Sequence, residues 1–180
     1  ALGAVGFLMQ SAPDVRTAID ELVANGVSLR FIGDRAAFAP AIRERMDQSE
    51  VKQPSETSLH LNIAANYGGR WDIAAAAARL AAEGTSITEA SLSAALALAH
   101  CADPDLIIRT GNEKRLSNFL LWQAAYSELC FSELLWPDFD EAALDAALLE
   151  YASRERRFGK TPDQVAGDPG AISRIKGPHA

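Results

Sequence analysis

The chain has 180 residues, 48% hydrophobic and 23% charged, enough for one domain with a sizeable core and too apolar for wholesale disorder. Its formal net charge of −7 excludes a general role in binding nucleic acid or anionic membrane, so an anionic ligand would need positive charge gathered locally. Cys101 and Cys130 lack metal-ligand spacing and fit a reducing compartment with both thiols free.

No apolar run reaches the ~20 residues that span a bilayer. The opening ALGAVGFLM is apolar without a basic region before it, so a signal peptide is not expected. Helical spacing of Val5, Leu8, Met9, Val15, Ala18, Ile19, Leu22 and Val23 predicts a helix from Ala4 to Asn25. Pro13 should kink it, Ser11 should cap its second half, and Asn25-Gly26 should end it. Val27–Ile32 alternates as a strand and closes on Gly33-Asp34. A short charged helix is expected over Pro40–Gln48, and a second strand over Leu59–Ala64 that ends in Asn66-Tyr67-Gly68-Gly69. Helices follow at Trp71–Glu83, with Gly84 to end it, and at Glu89–Ala99, with Thr88 as N-cap.

Leu106-Ile107-Ile108 reads as a buried strand that delivers a basic, Gly-containing loop, Arg109 to Arg115. A helix is expected to begin near Ser117-Asn118, with Phe119, Leu120, Leu121, Trp122 and Tyr126 as core. The apolar piece at Leu129–Trp136 is read either as an edge strand or as a subunit contact. A last helix should run from Glu141 to about Arg157, and residues 161–180 form a flexible tail. Strands alternating with helices predict a single α/β domain over residues 1–160, with a mostly parallel sheet flanked by helices. Ligands in such sheets sit beyond the carboxyl ends of the strands, where Asn66, Gly68, Gly69, Arg70 and Arg109 to Ser117 all fall.

Two constellations carry the chemistry. Arg109, Arg115 and Ser117 read either as a solvated basic loop or as a phosphate grip. In the second case guanidinium groups bind an anion bidentately beside the N–H groups of a helix start, and Gly111 lets backbone approach the ligand. The glycines of Asn66-Tyr67-Gly68-Gly69-Arg70 read first as a tight turn, while Asn66 and Arg70 are open to a ligand role. Glu113 and Glu128 are carboxylates of the kind Mg²⁺ accepts, but one straight helix from Ser117 would hold Glu128 ~16 Å away from the loop. His60, His100 and His179 are too scattered to form a ligand set. No P-loop or dinucleotide-binding signature occurs.

The pieces IGDRAAF, LNIAANYGGRWDI, PDLIIRTGNEKRLSNFLLWQAAYSEL, LLWPDFD and YASRERRFG together resemble the cis-prenyltransferases, specifically the bacterial undecaprenyl diphosphate synthase family. The resemblance implies an α/β homodimer that condenses isopentenyl diphosphate onto an allylic diphosphate such as farnesyl diphosphate, with Mg²⁺, to make a long-chain polyprenyl diphosphate. It implies that Arg109, Arg115 and Ser117 bind the phosphates of the isopentenyl diphosphate, with Leu116, Asn66 and Arg70 as further substrate-binding candidates. Glu128 would be the metal-associated carboxylate and Glu113 a supporting one, with Leu129–Trp136 near the dimer contact. A cytoplasmic location with peripheral membrane association would suit the lipid product. Two departures stand out: Asn112 replaces the second Gly of the family's RTGGE, and the family's Asp-Gly-Asn-Gly-Arg-Trp loop, which carries the catalytic aspartate, is not in the sequence. The expectation is therefore a truncated polypeptide that lacks the first strands and carries the isopentenyl-diphosphate and dimer half. The alternatives are a non-catalytic family member acting as a partner subunit or diphosphate-binding module, and a generic phosphate-binding α/β protein.

Overall fold

A computed structural model describes residues 19–154. They fall into two compact units: residues through Ala102 together with Ser117–Trp122, and Asp103–Leu116 together with the residues from Gln123 onward.

The first unit begins with helical residues 19–24. Asn25 N–H reaches the Glu21 carbonyl at 3.0 Å and Gly26 turns left-handed at φ 77°, as expected of a helix stop. Strands β1 (Val27–Ile32) and β2 (Leu59–Ala64) pair in parallel, Val27 opposite Leu59 and Ile32 opposite Ala64. The alternation of β1 turns Val27, Leu29 and Phe31 into the interior and leaves Arg30 exposed. Leu29 and Phe31 meet Phe38, Ala65 and Met46 of helix α1 (Pro40–Val51), and Met46 is fully buried. A second cluster joins α2 (Gly69–Ala82) to α3 (Glu89–Ala95) through Ala76, Leu80, Leu92 and Leu96, with Trp122 packed against it. Thr88 caps α3 through a reciprocal pair with Ser91.

Side chains hold the outer backbone of β1. Phe31 N–H donates to Glu50 Oε1 at 2.6 Å, and Arg35 donates to the Phe31 carbonyl at 2.9 Å. Arg35 also pairs with Glu50 and, at 2.8 Å, with Asp47. Just beyond β1, Gly33 sits at φ 119°, and a Cβ there would lie 2.1 Å from the Ala65 carbonyl oxygen. Only glycine fits.

The second unit pairs β3 (Leu106–Arg109) with β4 (Glu128–Phe131), again in parallel, Leu106 opposite Glu128 and Arg109 opposite Phe131. Single 3₁₀ turns form at Gln123–Tyr126 and Trp136–Asp138. Helix α4 (Glu141–Ser153) starts at Asp140, whose carboxylate accepts the Ala143 N–H at 2.9 Å. Two parallel pairs with flanking helices make this an α/β protein, as the alternating pattern predicts.

The strands over 27–32 and 59–64 match their predicted bounds, and β3 runs one residue longer. Helix α1 continues to Val51, α2 begins at Gly69, and α3 stops at Ala95, short of the expected Ala99. One element is corrected outright: no helix follows Ser117. Ser117, Asn118 and Leu120 take φ of 49°, 65° and 44°, left-handed values that a right-handed helix excludes. The expected core residues of this stretch divide accordingly. Leu120 is buried, while Phe119, Leu121 and, at 75%, Tyr126 are exposed. The features expected at Ser11 and Pro13, the helix beyond residue 154 and the tail over 161–180 lie outside the described residues.

Candidate functional site

In the second unit, the strand β3 hands directly to the basic loop. Arg109 ends the strand, and its guanidinium donates back to the Arg115 carbonyl, which ties the loop's two ends together. Gly111 and Asn112 are left-handed, φ 88° and 57°, and their N–H groups donate to the Leu134 and Ser132 carbonyls at 2.7 and 3.0 Å. Asn112 therefore takes the backbone angle that a second glycine would supply. The Arg115 side chain is exposed and ion-paired with Glu113.

Glu128 lies elsewhere in the same unit. It opens β4 opposite Leu106, three residues back along β3 from Arg109, or about 10 Å at the usual strand rise. Its carboxylate accepts from Arg154 at 2.9 Å, and Arg154 also donates to the Leu129 carbonyl at 3.1 Å and pairs with Glu150. Arg154 holds the Glu150 carboxyl below the usual carboxylate range, mainly through their hydrogen bond. Burial, then the charge of Glu150, pushes the Cys130 thiol up. Glu128 and Glu113 are thus each engaged by an arginine. Among the described residues no group of three His, Cys, Asp or Glu is arranged to hold a metal ion, so these residues alone do not fit Mg²⁺.

In the first unit, the turn after β2 is built tightly. Asn66 is left-handed at φ 49°, and its side chain donates to the Asp34 carbonyl at 3.1 Å while its own carbonyl accepts the Asp34 N–H. Tyr67 donates to the buried Asp72 carboxylate at 2.9 Å, whose other oxygen accepts the Ala97 N–H. The glycines serve packing: a Cβ on Gly68 would lie 2.6 Å from Asn118 Nδ2, and one on Gly69 2.8 Å from Leu121. Gly69 N–H and Arg70 N–H, the first donors of α2, go to the Asn118 carbonyl at 2.7 Å and to Asn118 Oδ1 at 2.9 Å. The Arg70 side chain is exposed. Ser117, also exposed, immediately precedes this Asn.

The sequence reading does not single out Asn118 or Arg154. A signal for the first was present: Asn accepts left-handed angles, and two glycines that allow close approach need something to approach them.

The two parallel strand pairs thus carry a glycine-bearing basic loop after β3 and a paired-glycine turn after β2. The family model described as "Putative undecaprenyl diphosphate synthase" matches residues 3–159, and the chain belongs to that family. The isoprenyl transferase of Chromobacterium violaceum is 54% identical over 142 residues, covering 78% of this chain and 57% of that protein. The ditrans,polycis-undecaprenyl-diphosphate synthase ((2E,6E)-farnesyl-diphosphate specific) of Pseudomonas syringae pv. tomato is 51% identical over 158 residues, 84% of this chain and 63% of that protein. Among solved structures, the "probable undecaprenyl diphosphate synthase" of Campylobacter jejuni matches with a TM-score of 0.74 at 35% identity, covering 89% of this chain and 76% of that one. The lavandulyl diphosphate synthase of Lavandula x intermedia, solved with dimethylallyl diphosphate, gives 0.80 at 35% identity, 89% and 73%. This chain spans about three fifths of the length of the curated relatives named here.

Proposed function

We propose that this chain supplies the isopentenyl-diphosphate-binding and dimerising half of a cis-prenyltransferase. The enzyme adds isopentenyl units to an allylic diphosphate such as farnesyl diphosphate and builds a long-chain polyprenyl diphosphate. The observation that supports the reading is the loop after β3, where Arg109 stands at the strand's carboxyl end and Arg115 six residues on, around two left-handed residues. Two guanidinium groups neutralise a diphosphate and fix its orientation bidentately. Arg115 is exposed and its partner Glu113 partly so, and an ion pair of that kind is worth only about 0–1 kcal/mol. An incoming diphosphate therefore displaces Glu113 at little cost, while Glu113 keeps the empty loop in order. Leu116 and Ser117 follow directly in the chain, and Ser117 adds a hydroxyl donor. Asn66 and Arg70 are a second polar set, Arg70 being the residue whose side chain reaches solvent.

Glu128, released from Arg154, is the carboxylate that would help hold Mg²⁺, and the ion would supply positive charge to the diphosphate. The homodimer forms through Leu129–Trp136, where Leu134, Leu135 and Trp136 are exposed. No helix among the described residues is long and apolar enough to cross a membrane, and the enzyme works in the cytoplasm with peripheral membrane contact through its lipid product.

Isothermal titration of the 180-residue chain with isopentenyl diphosphate tests the proposal. Binding that Arg109→Ala and Arg115→Ala each weaken by tenfold or more is the expected result, and absence of binding overturns it. A parallel assay with farnesyl diphosphate and labelled isopentenyl diphosphate asks whether the chain turns over alone; clear product formation would overturn the assignment of only half a site.

A further inference from the structure

The segment after the basic loop is strained in a way its neighbours explain. Three of its four residues from Ser117 to Leu120 hold positive φ without being glycine, each at a cost of order 1 kcal/mol or more. Such a backbone persists only where its surroundings over-determine it. Here they do. The Asn118 carbonyl and Oδ1 accept the N–H groups of Gly69 and Arg70, the first two donors of α2, the latter from 48 residues away in the chain. Asn118 Nδ2 occupies the space left by the missing Gly68 side chain, and Leu121 occupies that left by Gly69. Phe119 meets the edge of Tyr67, ring centroids 6.1 Å apart, and Leu120 is buried. The result is a helix capped by a remote asparagine, with Ser117 bonded to the cap on one side and Arg70 held by it on the other.

We infer that Asn118 is a positioning residue, which locks Ser117 and Arg70 in the geometry that receives the isopentenyl diphosphate. The inference rests on the function proposed above. Asn118 itself touches no ligand; it takes one orphan helix donor, the Gly69 N–H, with its backbone carbonyl and a second, the Arg70 N–H, with its side-chain oxygen, and alanine lacks that second acceptor. The strained φ of Ser117 and Asn118 is stored in those bonds, so losing the cap lets the segment relax and moves the Ser117 hydroxyl away from its working position.

A double-mutant cycle on isopentenyl diphosphate binding by the full chain tests this. Asn118→Ala should raise Kd about tenfold, with amide exchange at Arg70 accelerated and the far-ultraviolet spectrum unchanged. Asn118→Asp, which keeps the acceptor, should restore the protection of the Arg70 amide. If Asn118 acts through Ser117, the Ser117→Ala/Asn118→Ala pair loses no more affinity than the worse single variant. Full additivity, or wild-type affinity in Asn118→Ala, overturns the inference while leaving diphosphate binding in place. Failure of the wild-type chain to bind isopentenyl diphosphate overturns the functional reading and this inference with it. Should Asn118→Ala not fold, the Asn118→Asp and Ser117→Ala variants still decide, since fast exchange at Arg70 in Asn118→Asp also rejects the cap.

Discussion

The two units use the same motif, a parallel strand pair with helices, and hold it together differently. The first has two apolar clusters with a fully buried Met46 at the heart of one. Among the described residues of the second, Ala124, Cys130 and Ala147 are the buried apolar ones, while Leu135, Trp136 and Leu149 are 62, 77 and 72% exposed. There the strands are secured by backbone bonds around the loop and by Arg154 with its two glutamates. The unit with the interior is thus organised by hydrophobic burial, and the unit with the basic loop by polar contacts, which a charged ligand can rearrange. Stability and ligand response should separate along that line.

The largest expected effect tests the interior. Met46→Ala should cost about 2–5 kcal/mol in urea unfolding, because it leaves a cavity among packed side chains. Leu149→Ala should stay within about 0.5 kcal/mol, and equal losses would erase the contrast. The polar clasps come next. Arg35→Ala removes the donor to the Phe31 carbonyl and leaves Glu50 without its counterion, for a loss of about 1–3 kcal/mol. Arg154→Ala should lower the melting temperature less, and the loss should shrink in high salt, since its ion pairs are only partly buried.

Smaller still is the response at Asn112. Asn112→Gly should change stability by only a few tenths of a kcal/mol, whereas Asn112→Val, which resists φ 57°, should cost about 1–2 kcal/mol. The smallest effect is a pH response of the first unit. Burial, then the charges of Arg30 and His60, hold the His100 pKa below its ordinary 6.5. The folded chain therefore binds fewer protons there than the unfolded chain, and stability falls as pH drops through 6.5 and below. His100→Gln should flatten that slope; an unchanged slope would show that other groups set it.

Much of the first unit was legible because its pattern is local. The alternation in VSLRFI and LHLNIA, the glycine at Gly84 and the Thr88 cap each act within a few residues. The misread stretch fails for the opposite reason. SNFLLW has helical spacing, but the Asn118 bonds to α2 and the burial of Leu120 are non-local and outweigh it. At the site, the composition and glycines of the basic loop were visible. The opposite placement of Glu128 was not, since it depends on β4 pairing in parallel with β3. Nor could the sequence reveal that Arg109 would donate back to the Arg115 carbonyl and that Arg115 would pair with Glu113 of the same loop.

The clasp on Phe31 bears on how this protein keeps its own company. In a parallel ladder alternate residues face opposite sides, and Ala65 N–H takes the Ile32 carbonyl on the β2 side. The Phe31 amide therefore faces outward, and both its polar groups are already taken by Glu50 and Arg35. A foreign strand seeking a template there would first have to break a charged pair. Among the described residues, β1 is thus guarded on that side by two side chains rather than by another strand.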